Sequence, residues 1–126
     1  MATSENVERE LAELEQIHSR FKENAGRTDE RRRHDLIDLR RELSMQIARV
    51  GELAEPFVNR HGPAMLQTYR DHYSRMRSVA ALHQANWPAV LLGQREDEYA
   101  ASAHSVRQAA YDFIAWMRQL IRSRAS

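Results

Sequence analysis

The chain contains no cysteine, which excludes disulfide and thiolate chemistry. Proline and glycine are scarce, at three and four among 126 residues. Neither an Asn-Gly nor an Asp-Gly pair occurs, and no β-branched residues alternate along a run, so strand and hairpin signals are missing. No stretch approaches the ~18 consecutive apolar residues of a membrane span. The first residues, Met1-Ala2-Thr3-Ser4-Glu5-Asn6, show no basic region followed by an apolar run. The expectation is a cytoplasmic protein without membrane contact. An excess of one charge sign is absent too: the formal net charge is +1, which gives no global pull towards nucleic acid. Of the 19 basic residues only Lys22 is a lysine, so an arginine cluster says less here about phosphate binding than it would elsewhere.

What the chain does have is helical rhythm. Tyr99, Ala103, Val106, Ala110, Phe113, Met117 and Leu120 repeat at intervals of four and three, one stripe along one side of a long helix. Weaker copies recur upstream. Val7, Leu11, Leu14, Ile17 and Phe21 mark a first helix from about Glu5 to Asn24, stopped by Ala25-Gly26. Asp29 is placed to cap a second, whose stripe is Leu36, Leu39, Leu43, Ile47, Val50, Ala54 and Phe57, with Pro56 expected to kink or end it near Glu55. His61-Gly62-Pro63 reads as a turn with Pro63 opening a third helix, which runs to about Ala85 and breaks at Asn86-Trp87-Pro88. A short extra helical turn is expected around Pro88-Leu92, and the last helix from about Gln94 to Arg122. The fold class is therefore all-α: residues 1–126 form a single domain, an antiparallel up-down four-helix bundle.

Charge placement fits that topology. Up-down helices of ~30 Å bring the acidic start of helix one (Glu5, Glu8, Glu10, Glu13) level with Arg118, Arg122 and Arg124. At the other end, Arg31, Arg32 and Arg33 fall near Glu96, Asp97 and Glu98, which also suit a helix N-terminus. Arg31-Arg32-Arg33-His34 with Arg40-Arg41 is a candidate patch for nucleic acid. Asp29, Glu30, Asp35 and Asp38 dilute it, so it reads better as a solvated helix start.

The six histidines are the other chemical candidates. His18 lies on the stripe of helix one, and His72 and His83 lie on that of helix three. His72 and His83 are about 16 Å apart along the axis and cannot share an ion. His18, His72 and His104 come out at similar heights in an up-down bundle. Three imidazoles converging on the core would hold iron, zinc or manganese, with Glu15, Glu42 or Tyr69 as further ligands. Glu15-Gln16-Ile17-His18 carries the Glu-x-x-His spacing of carboxylate-bridged di-metal bundles, though in one copy rather than two. Arg77 and His83 match the Arg-x5-His pattern of HEPN-type helical ribonucleases, in which an arginine would steady a phosphate while a histidine moves a proton.

Ile17-His18 in the first helix, a long second helix, an aromatic third helix ending at Trp87 and a last helix closing on Phe113-Ile114-Ala115-Trp116-Met117 together resemble the hemerythrin-like (HHE) four-helix bundles over most of the chain. The resemblance implies a helical bundle with a metal-binding ancestry. The ligand pattern departs from the family: Ala48 and Glu52 stand where its second-helix His-x-x-x-Glu would be, His72 pairs with Met76, and Arg118 and Arg122 replace last-helix ligands. Oxygen and di-iron chemistry are therefore not implied.

Phe113, Trp116, Met117, Leu120 and Ile121 cover more of the last helix than one stripe needs. That excess is either all core or an interaction surface, with Trp116 and Met117 as anchors for a homo-oligomer or another helical protein. With packing residues in quantity and no convergent catalytic set, the sequence reads as a non-enzymatic interaction or regulatory module, without cofactor. A metal-binding bundle using His18, His72 and His104 is the alternative, and a ribonuclease using Arg77 and His83 the outsider.

Overall fold

The computed structural model describes residues 3–124. Helix α1 spans Ser4–Ala25, α2 Arg32–Asn59, α3 Pro63–Asn86 and α4 Glu96–Arg124, with a short 3-10 turn, Ala89–Leu91, between the last two. Each helix packs on its neighbour in sequence and α4 returns onto α1, the neighbour order of an up-down bundle. The stripes meet in one core. Leu11 and Leu14 of α1, Leu43 and Val50 of α2, Tyr69 and Met76 of α3, and Phe113 and Met117 of α4 are all buried there. Among the described residues no helix is long and apolar enough to cross a membrane.

The helix ends follow local chemistry, with two departures from expectation. Thr3 Oγ1 accepts the Asn6 N–H at 3.1 Å and so caps α1. Gly62, at φ 101°, makes the left-handed turn before Pro63. Asp29, however, does not cap α2. Arg27 captures its carboxylate through two hydrogen bonds of 2.8 and 2.6 Å, and α2 begins after Arg31 with no side-chain cap. Pro56 does not end α2 either, because the helix continues to Asn59. Phe57 and Val58, just beyond the proline, are buried in the core. Their packing holds the last turn while the ring lies on the exposed side, where the carbonyl it deprives of a partner faces water.

Charge pairing orients the bundle as anticipated at both ends. Arg118 of α4 donates to Glu8 and Glu15 of α1, at 2.9 Å each. Arg32 of α2 donates to Glu96 of α4 at 2.9 Å. Arg124 is expected beside the acidic start of α1, and its side chain lies outside the described residues. Helices α2 and α3 part along one flank, leaving an open groove of about 740 Å³ between Ser44, Ala48, Ser74 and Ser78. Tyr73 spans its wall, donating its hydroxyl to the Ile47 carbonyl at 2.7 Å. Its ring edge comes so close to α2 that Gly51 leaves no space there for a Cβ.

Candidate functional site

Chemistry concentrates in the interior, in a small cavity between all four helices. Helix α1 contributes His18, α2 Arg40, α3 His83, and α4 Tyr99 and Arg107; the volume is about 20 Å³. That is enough for one water-sized occupant. His18 enters because it extends the stripe of Leu11 and Leu14 by one turn, so packing that face carries the imidazole inward. The residue is only 2% exposed. Its ring lies 6.0 Å from that of Phe21 and 6.2 Å edge-on from that of Tyr111. Among the described residues neither Nδ1 nor Nε2 has a hydrogen-bond partner.

His83 reaches the cavity from the opposite pair of helices. Its Nδ1 shares a 2.6 Å hydrogen bond with Ser102 Oγ, and its ring lies 5.4 Å from that of Tyr99. Burial pulls the pKa of each imidazole down to about 4. The Arg107 charge adds to the effect at His18, and Arg40 and Arg107 add to it at His83. Both rings are therefore neutral at pH 7, each with one N–H and one lone pair. Arg40 Nη2 donates to the Trp87 carbonyl at 2.7 Å. Burial lowers its pKa below the ordinary guanidinium value. Burial also raises the Tyr99 hydroxyl, against the opposing influence of Arg40, Arg32 and Arg107.

The three-histidine metal site is not assembled. His18 is enclosed, His72 is stacked on Trp116 with centroids 5.6 Å apart, and His104 is exposed on the outer side of α4. Among the described residues no three histidine, aspartate or glutamate side chains come together as ligands. Similar height along the axis was not sufficient, because the three rings point in different directions around it. Any cation beside His18 would also meet the Arg107 and Arg40 charges. Arg77 and His83 likewise part company. Arg77 lies over the Tyr73 ring at 5.7 Å and lines the outer groove, whereas His83 is turned inward onto Tyr99.

The residues of the expected α4 surface lie in or against the bundle's own core: Phe113, Met117 and Leu120 are buried there, and Trp116 and Ile121 are partly buried against it. The extra apolar width is used by two neighbours at once. Tyr69 and Tyr73 of α3 pack around Phe113 at 5.9 and 5.8 Å, and α1 lies along the other side, tied by Arg118.

Sequence reading picked out His18 and His83 but missed their partners. Arg40 reads in the sequence as part of a basic run with Arg41, Tyr99 as the head of a stripe, and Arg107 carries no sequence signal of its own. The available signal was positional: Arg40 follows Leu39 and Arg107 follows Val106, so each stands one step off a core position. No protein-family model matches the sequence, and no curated protein and no solved structure is significantly similar to it.

Proposed function

We propose that the chain is a non-enzymatic regulatory module that binds a small ligand inside the bundle, in the cavity between His18 and His83. The observation that carries this reading is His18, an almost fully buried imidazole facing the cavity with both nitrogens unpartnered among the described residues. A buried polar group without a partner costs about 1–3 kcal/mol. A bound species that accepts or donates a hydrogen bond there removes that cost, and therefore stabilises the fold by mass action. The cavity's small size and its enclosure by four helices suit capture and release of a compact ligand. A polymeric substrate would not reach it.

The test is to follow the His18 ring nitrogens by long-range proton–nitrogen NMR while small polar compounds and salts are titrated, with thermal unfolding measured in parallel. An occupant is expected to shift those resonances and raise the Tm of the native protein, but not that of His18→Leu. Without an occupant, His18→Leu is expected to be at least as stable as the native chain, since it removes an unpartnered imidazole at similar volume. If no compound or salt moves the His18 resonances, the reading fails.

A further inference from the structure

The lining of the cavity has one electrical character. Its charged or ionisable members are His18, Arg40, His83, Tyr99 and Arg107, one or more from each helix, and among the described residues that line it there is no aspartate or glutamate. Four arginines that bridge helices meet carboxylates: Arg20 with Glu42, Arg32 with Glu96, Arg75 with Asp112, Arg118 with Glu8 and Glu15. Arg40 and Arg107 form no salt bridge among the described residues. Both are half-buried, and where their charge borders the cavity without a carboxylate, an ion of opposite sign is the natural complement.

Resting on the ligand-binding reading above, we infer that the occupant is a small monovalent anion of halide size, held between the Arg107 and Arg40 guanidiniums and the ring N–H of His18. Donors are available for it. The guanidiniums of Arg40 and Arg107 donate only, and Tyr99, which also lines the cavity, carries an O–H that can donate. Neutral His18 supplies one N–H. Size sets the upper bound. A volume of about 20 Å³ takes one water or one halide, whereas sulfate or a carboxylate with a substantial body would need the helices to separate. Sign excludes the alternative of a metal cation, which would face the same two arginines with no anionic ligand. Binding should also relieve the depression of both histidine pKa values, because the anion offsets the positive field that contributes to it.

The experiment starts from native protein exchanged into a gluconate buffer and titrates chloride, bromide and sulfate at constant ionic strength. Three readouts are taken: chlorine-35 line broadening, the His18 ring resonances and the Tm. Chloride and bromide are expected to give saturable broadening or shifts and a higher Tm, and sulfate neither. Arg107→Gln, with its helicity checked by circular dichroism, should weaken chloride binding by about ten-fold or more, and Arg107→Lys should restore part of it. If methanol or another small neutral molecule moves His18 while chloride does not, the anion assignment is overturned and the cavity reading stands. If the His18 nitrogens report only exchange with water under every salt, the anion assignment is likewise overturned. If nothing moves them at all, both are overturned. The chlorine-35 measurement on native protein decides even if the variants fail to fold.

Discussion

His18 and His83 make the protein acid-sensitive in a defined window. Each has an ordinary pKa of 6.5 that burial brings down to about 4 in the folded chain. Above pH 6.5 both are neutral whether the chain is folded or not, and their effect on stability is flat. Between pH 6.5 and about 4 the unfolded chain takes up protons that the folded chain refuses, so stability falls as the pH falls. Below about 4 these two groups add no further slope. The loss is on the order of 3 kcal/mol per histidine at its fullest. Urea midpoints in gluconate buffer are therefore expected to be lower at pH 5 than at pH 7, and His18→Leu should keep only the part due to His83. A midpoint that is unchanged or higher at pH 5 would show that the rings are already protonated or solvated in the fold.

Between elements, the closest approach is that of α2 to Tyr73. An alanine Cβ at position 51 would lie 2.4 Å from the Tyr73 hydroxyl oxygen and 2.9 Å from the ring carbon that bears it. Alanine gains about 1 kcal/mol of helix propensity over glycine. Against this, Tyr73 must swing out, losing its bond to the Ile47 carbonyl and disturbing its stacking on Tyr69, for about 1–3 kcal/mol of overpacking plus ~1 for the hydrogen bond. Gly51→Ala is thus expected to cost a net ~1–3 kcal/mol, read as a lower urea midpoint with the slope unchanged. A rise would mean that the α2–α3 wall yields freely. The helices themselves were legible in the sequence because their periodicity is local: the Tyr99-to-Leu120 stripe, the Gly62-Pro63 turn and the Trp87-Pro88 break all appear where read. Asp29 was misjudged because Arg27, only two residues away, competes for its carboxylate, and Pro56 because the burial of Phe57 and Val58 in the core outweighs the lost helix bond. The cavity was less legible still. Arg40 and Arg41 differ by 100° of helix rotation, and nothing in the neighbouring sequence says which of them turns inward.

Taken as one body, the bundle turns the apolar stripe of α4 inward. Met117 of α4 is fully buried in the common core, so Met117→Ala is expected to cost about 2–5 kcal/mol in urea unfolding. Its mass by light scattering should match that of the native chain. A variant that keeps its stability but changes its mass would return α4 to the role of an assembly surface.

The Arg40 contact with the Trp87 carbonyl joins an interior charge to an exterior connection. Trp87 begins the segment between α3 and α4, where Val90 is 65% exposed and Arg95 sits at a positive φ of 49°. A guanidinium is a stiff plane, so it acts there as a tether: drawn towards a guest, it either pulls the Trp87 backbone with it or lets go. On the proposed reading, occupancy of the middle of the bundle would then be translated into the posture of a surface loop.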